Sequence, residues 1–442
     1  MFKDLKTIEI YKYFYLALLV FSMLFARPFV GLSLFGFRLG ELLIGVCFLF
    51  SLALLTLYRF LPKKVAQIPL NNIFRIIILS VFIVVFLTNS SLLKPYFVRS
   101  SSYVWSIAFI YFGIFFLDIL KKKYLLAGLS LVPLVVYFFS TGRYPDFIIK
   151  FFNTWSDKFQ FIKGSDLMLT YIVVTLSLLM LLKNKYASIS YLFIVSAAFF
   201  PLLLFNSRGA FLAALIFFVF QIIYEFKFLM KNKLFLLALG FLSYLVFYGS
   251  VLNVYGEFKF TKVNEATKPN IVTEKVTKIA AEKKTVETFR SFYLEDGRLY
   301  SDDSTTNWRL DIWQDLYHYM DDEGILLKGH GYKEIFPIMK DPSAPGRLGR
   351  DGLNENVHNY FANVLGRAGL IQLLLFLIFY LKIISTSYEN NGNYKVIGYI
   401  FPVLANSFFD ANMEGVQYPF IFYSFLAFLF LSGKNNKPIT NN

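Results

Sequence analysis

One cysteine and three histidines are all that 442 residues offer to disulfides and soft metal sites. The lone Cys47 lies in an apolar run, which excludes an intramolecular disulfide and a cysteine metal cluster. His318, His330 and His358 fall into no HExxH or other metal-ligand spacing, so neither a metal nor a cofactor is expected. Charge is scarce too: 17% of residues are charged, against about 25% in an ordinary soluble domain. An internal repeat is also lacking, whereas transporters are commonly built from repeated halves.

Apolar residues are what the chain has in plenty: 57% are hydrophobic and the mean hydropathy is +0.55. Runs approaching the ~20 residues that cross a bilayer recur along the whole length. They fall near 11–26, 39–58, 75–93, 102–120, 124–140, 167–182, 189–205, 210–226, 234–254, 360–381, 396–409 and 417–432. The expected fold is an all-α polytopic membrane protein of about 12 transmembrane helices, with one large, partly helical extracytoplasmic loop between spans 9 and 10. Residues 1–254 carry spans 1–9, 255–359 the outer loop, 360–432 spans 10–12, and 433–442 a cytoplasmic tail. The first run continues past Arg27-Pro28 without a small-residue cleavage site, so it is expected to stay as a helix.

The net charge of +15 invites a nucleic-acid partner, but lysines and arginines gather at the cytoplasmic ends of membrane helices for their own reasons. With the N-terminus inside, every inner segment is basic: Lys3, Lys6 and Lys12; Arg59 and Arg75; Lys121 to Lys123; Lys183 and Lys185; Lys227 and Lys231; Lys382 and Lys395; Lys434 and Lys437. No nucleic-acid partner is expected. Both termini should be cytoplasmic and residues 255–359 should face outward.

That outer loop is too long for a mere connection. Val272, Val276, Ile279 and Val286 recur at helical spacing over 273–289, opposite a lysine-rich face that suits a lid, anionic lipid or plain solvent. A second helix should begin after Ser304-Thr305-Thr306, whose hydroxyls can cap it, with Trp313, Leu316, Tyr317 and Met320 on one side. Residues 340–352 read as a loop.

Few residues on the outer side can do chemistry. Arg208 lies in the short Asn206-Ser207-Arg208-Gly209 turn between spans 7 and 8. Its planar fork suits phosphate oxygens, Ser207 adds a donor, and Gly209 admits a close ligand. The alternative is an arginine snorkelling to headgroups, although outer arginines run against the charge bias. Arg309, beside Trp308, can bind an anion or simply pair with Asp311 or Asp315. His358, followed by Asn359 at the start of span 10, can take a proton near neutral pH or merely end a helix. Arg367 sits deeper in that span, where a charge normally faces a cavity or a partner, and Asp410 and Glu414 are candidate partners.

In order along the chain come Ser207-Arg208-Gly209, Asn307-Trp308-Arg309 through Trp313, Gly329-His330-Gly331, and His358-Asn359 leading to Gly369. Together with the late outer loop, this set resembles the bacterial O-antigen ligase and O-antigen polymerase superfamily over roughly residues 190–385. Where many members carry an acidic residue, this chain has Arg367. The resemblance implies a metal-independent, inverting, integral-membrane glycosyltransferase in the bacterial inner membrane, with its site facing the periplasm. Its donor would be a glycan on undecaprenyl diphosphate. Its acceptor would be lipid A-core for a ligase or another lipid-linked glycan for a polymerase. On this reading Arg208, Arg309, Ser207 and Asn359 hold the diphosphate and substrate, and His358 activates the acceptor hydroxyl. A single Ser-Arg-Gly turn and one dominant loop are closer to the ligase, whereas the basic loop 141–165 suits a polymerase. A protein-glycosylating relative and a lipid-linked oligosaccharide transporter stand as further alternatives.

Overall fold

The computed structural model describes residues 5–60, 63–156, 162–256, 292–344, 346–348, 352 and 354–431. The helix expected over 273–289, the tail 433–442 and Lys158 of the 141–165 loop lie outside these. Eight helices are long and apolar enough to cross a membrane: Ile8–Phe25, Leu39–Thr56, Ser102–Lys121, Lys123–Ser140, Gly164–Leu181, Lys185–Asn206, Lys233–Tyr255 and Tyr360–Asn391. Four shorter apolar helices, Asn71–Leu87, Arg208–Tyr224, Ile397–Phe408 and Gln417–Leu431, fall on the other four runs read from the sequence. The chain is a multi-pass, mostly helical membrane protein.

Burial sorts these helices by place. Gly164–Leu181 is 83% buried and forms the centre, whereas Lys233–Tyr255 is 11% buried and presents Leu234, Phe241 and Tyr244 outward. A helix apolar all round belongs in a core or in lipid, and these two fill both roles. Cys47 is buried and free, a small apolar filler.

Two short hairpins add the little strand there is among the described residues: Ser33–Leu34 with Phe37–Arg38, and Phe292–Glu295 with Arg298–Ser301. The second leads into helix Ser304–Asp322. The cap of that helix corrects the sequence reading. Asp303, not a following hydroxyl, accepts from the Thr306 amide (2.9 Å) and hydroxyl (2.8 Å). Ile312, Leu316 and Met320 form its buried stripe with Phe336, Met339 and Val357. Tyr317 points out to solvent at 52% exposure.

After this helix the segment returns to the membrane helices. Helix Tyr360–Asn391 is broken at Gly369, whose φ of 75° is open to glycine and strained for other residues. The break frees backbone groups, and the Gly329-His330-Gly331 turn takes them. His330 N donates to Gly366 O and Gly331 N to Arg367 O, both at 2.8 Å, and Leu370 N donates to Leu326 O at 2.9 Å. Just beyond, Tyr332 is fully buried, its hydroxyl 2.9 Å from that of Tyr103 and 3.0 Å from Gln372 Oε1. Unpaired backbone at this depth is costly, and the turn satisfies it with protein.

Arg367 sits at the same junction. Its guanidinium donates to the carbonyls of Gly331 and Glu334 and to the Tyr96 hydroxyl, and it lies 4.0 Å from the centroid of Phe336. It bonds neither Asp410 nor Glu414, contrary to the pairing expected from sequence. Carbonyl oxygens and an aromatic face supply the compensation that a buried cation requires.

Candidate active site

Arg208 begins helix Arg208–Tyr224, and Ser207 caps that helix by accepting from the Ala210 amide at 3.3 Å. Ser207 thus fixes the turn that aims Arg208. The Arg208 guanidinium stands 3.8 Å from Asp303, the residue that caps helix Ser304–Asp322. Gly209 rests against Phe409, 3.5 Å from where its own Cβ would lie, so the turn adjoins the connection holding Asp410.

Arg309 rises from the first turns of helix Ser304–Asp322. Its sequence neighbours Asp311 and Asp315 do not claim it, because both bind Arg298 and the buried Arg347. Among the described residues Arg309 makes no hydrogen bond or ion pair, and its Nε is buried without a partner. Burial lowers its pKa, opposed by the charges of Asp410 and then Asp303. A half-buried guanidinium with no bonded partner among the described residues keeps its donors available to an anion.

His358 adopts a left-handed φ of 54°, a strained choice for a non-glycine residue. Three neighbours hold the ring and its backbone. The Trp308 indole lies edge-on with centroids 5.0 Å apart, Trp313 Nε1 donates to Val357 O at 2.7 Å, and Asn354 Oδ1 is 3.0 Å from His358 Nε2. The amide group of Asn354 is oriented by its own Nδ2, which donates to Arg347 O at 2.9 Å. Its oxygen therefore faces the ring, Nε2 carries the hydrogen, and Nδ1 keeps the lone pair. Burial pushes the His358 pKa down to about 4, the nearby Asp410 opposing and Arg309, Lys163 and Arg27 reinforcing. The ring is a neutral base at physiological pH.

Asn359 is 3% exposed and caps helix Tyr360–Asn391, its Oδ1 accepting from Phe361 N (2.9 Å) and Ala362 N (3.1 Å). The other two histidines are elsewhere. His330 bonds Tyr319 through Nδ1 at 2.8 Å, and burial followed by the charge of Arg367 lowers its pKa to about 4. His318 lines a polar cavity of about 600 Å³ with Arg298, Asp311, Asp315 and Arg347. That cavity is lined by the face of helix Ser304–Asp322 turned away from Arg309, so it is distinct from the cluster around His358.

Asp410 is the residue that sequence reading placed wrongly. It was read as a partner for Arg367, yet it acts on both Arg309 and His358 and accepts from Ser165 Oγ at 3.1 Å. A carboxylate in the short connection between the last two apolar runs, on the same side as the motifs, was the available signal. Asp303 likewise escaped, because it lies far along the chain from Arg208, and so did Asn354, although it stands only four residues before His358. Among the described residues no group of three or more His, Cys, Asp or Glu could hold a metal ion.

Arg208 thus stands near Asp303, the charges of Asp410 and Asp303 act on Arg309, and those of Asp410 and Arg309 act on the neutral base His358. Such a set can neutralise an anionic leaving group and take a proton. No curated protein matches the chain. Residues 191–377, which contain Ser207, Arg208, Arg309, His358 and Asn359, match the family described as O-antigen ligase, which supports the resemblance to the O-antigen ligase and polymerase superfamily.

Proposed function

We propose that the protein is an inverting O-antigen ligase. It moves a glycan from undecaprenyl diphosphate to a hydroxyl of lipid A-core at the outer face of the inner membrane. In this reading the chain spans that membrane 12 times, both termini are cytoplasmic, and 255–359 faces the periplasm. The observation that carries it is the unpartnered, half-buried Arg309 beside the neutral His358, with Asp410 acting on both.

The acceptor hydroxyl gives its proton to His358 Nδ1 as its oxygen attacks the anomeric carbon. The bond from that carbon to the diphosphate breaks on the opposite face, and undecaprenyl diphosphate leaves. Arg208 and Arg309 hold the diphosphate oxygens and stabilise the developing charge without a metal ion, since fixed cations in a partly dry site need no reorganisation. Ser207 and Asn359 serve by setting the helix starts that present Arg208 and His358. Polar groups gathered at one end of the bundle favour an enzyme over a transporter, which needs charge reachable from both sides.

Lys163 favours a second reading. It closes the basic 141–165 loop and adds to the positive field at His358, as befits a polymerase whose acceptor also carries a lipid diphosphate. The test supplies membranes with lipid-linked glycan and either lipid A-core or further lipid-linked repeats, beside Arg208→Ala and His358→Ala. Product on lipid A-core, lost in both variants, supports the ligase. A ladder of longer lipid-linked glycans supports the polymerase, and activity surviving both substitutions overturns the mechanism.

A further inference from the structure

The 141–165 loop, read from the sequence for its basic residues, contains a helix, Asp146–Trp155, that the mechanism above does not use. Ile148 and Phe152 turn to the protein and share a small core with Phe29 and Val30. Asp146, Lys150, Asn153 and Thr154 fall together on the opposite side. Phe147, Phe151 and Trp155, each four residues from the next, form a third stripe between the two, and all three are exposed, Phe147 at 72%. A helix that met only water on that flank would carry polar residues there. The hairpin of Ser33–Leu34 and Phe37–Arg38 joins this helix, because Leu32 and Ser156 form an antiparallel bridge. Its two-residue turn, Phe35-Gly36, has φ of 53° and 82°. Such turns favour asparagine or glycine at the first position, and a bulky side chain there is an outlier. Phe35 is nevertheless 97% exposed, with Leu34 and Phe37 exposed beside it. Neither a core nor the turn accounts for these side chains.

A run of aromatic rings connects this patch to the membrane surface of the bundle. Phe21, exposed on the membrane helix Ile8–Phe25, has its ring centroid 5.7 Å from that of Phe29 and 6.2 Å from that of Phe25. Phe25 in turn lies 5.0 Å from Phe152, and Phe152 lies 5.3 Å from Phe151. Phe25 and Phe139, 6.0 Å apart, stand at the ends of two membrane helices, so the patch lies at the level where those helices stop. The candidate site is at the same end of helix Gly164–Leu181: Ser165 Oγ donates to Asp410 at 3.1 Å, and Ser207 Cβ lies 2.7 Å from where a Gly164 Cβ would stand. An apolar stripe that continues a lipid-facing surface, is bordered by a polar face and ends in tryptophan is the pattern of a helix lying in the headgroup region. We propose that helix Asp146–Trp155 and the Phe35 hairpin form an apron in the plane of the bilayer, with Phe35, Phe147, Phe151 and Trp155 set among the lipid acyl chains. The apron fixes the depth of the site at the level of the lipid headgroups. It does not rest on the transferase reading; on that reading, it is also the level at which the diphosphate of a polyprenyl donor lies.

Nitroxide labels on single cysteines test this in the full-length protein, in a Cys47→Ala background and in vesicles of phosphatidylethanolamine and phosphatidylglycerol. Collision of each label with oxygen, which concentrates among acyl chains, is compared with collision with a water-soluble nickel chelate. Labels on Phe35→Cys, Phe147→Cys, Phe151→Cys and Trp155→Cys should meet oxygen more often, and those on Lys150→Cys and Thr154→Cys the nickel chelate. The same preference on both faces of the helix overturns the inference. Spin–spin broadening between copies at Phe147→Cys or Phe151→Cys, with neither reagent favoured, makes the stripe a contact between two copies and also overturns it. Unlabelled protein gives a second reading that needs no cysteine. Bilayers of brominated phosphatidylcholine should quench Trp155, so Trp155→Phe should lose a quenched part of the emission. If the emission lost in Trp155→Phe is a part that brominated lipid does not quench, the apron does not enter the bilayer, whatever the labelled variants do. Neither reading uses transfer, so a failure of the transferase reading leaves both intact.

Discussion

The imidazole of His358 stands edge-on to the indole of Trp308, ring centroids 5.0 Å apart and planes at 62°. Trp308 and Arg309 are consecutive, so one helical turn both seats the base and presents the cation. His358→Ala should therefore lower kcat by about 10²- to 10⁴-fold, the usual contribution of a positioned base. Pyrophosphate binding through Arg208 and Arg309 should persist, which calorimetry on the same variant checks.

The pH profile should carry the mark of burial. His358 sits near pKa 4 in the folded protein, against an ordinary 6.5. Its base form survives down to about 4, so the acid limb of kcat/KM should fall well below pH 6. His330 shares the shift. Both rings bind protons more readily when unfolded, so the stability they confer is complete above about 6.5 and lost as pH falls toward 4. Melting temperature against pH in detergent measures this; a melting temperature flat across that interval contradicts it.

Asn354 should matter through the ring it orients. Asn354→Ala frees Nε2 and lets the proton settle on Nδ1, the nitrogen needed as base. Loss of such an orienting partner costs about 10- to 100-fold in activity in comparable sites. Asn354→Asp should instead raise the His358 pKa and move the acid limb upward, which a pH–rate comparison of the two variants separates from simple misfolding.

Arg309→Lys keeps charge and loses the two-pronged grip, so it should behave nearer to Arg309→Ala than to wild type. Donor KM and kcat should both worsen. Asp410→Asn removes the carboxylate between Arg309 and His358 and should lower the His358 pKa further. That variant should lose rate while still binding pyrophosphate.

Gly369→Ala tests the helix break. The residue has φ 75°, and a Cβ there would collide with the carbonyl of Leu327. The strain alone is worth about 1–3 kcal/mol, and the collision adds to it. The melting temperature should fall and transfer should be lost with it.

The membrane helices were legible because apolar runs of span length have little else to be. Arg208, Arg309 and His358 were legible as types, each a reactive residue in a sparsely charged chain. Their company was not. Asn354 bonds His358 directly and is oriented by the carbonyl of Arg347, which salt links hold to Asp311 and Asp315 on a helix some thirty residues earlier. Arg367 was misread because sequence suggests carboxylates as partners, whereas backbone carbonyls carry no sequence signal. The same holds for Gly369: a glycine inside an apolar run gives no hint of the turn segment that docks on it.

That docking bears on how such proteins can be recombined. The Leu326–Gly331 segment and the Gly366–Leu370 break share three backbone hydrogen bonds, so neither has a complete backbone without the other. A chimaera that trades residues 255–359 between relatives would cut through this seam. The exchangeable unit runs from the loop through at least Leu370, and a graft that stops at His358 should yield a protein that inserts but does not melt cooperatively.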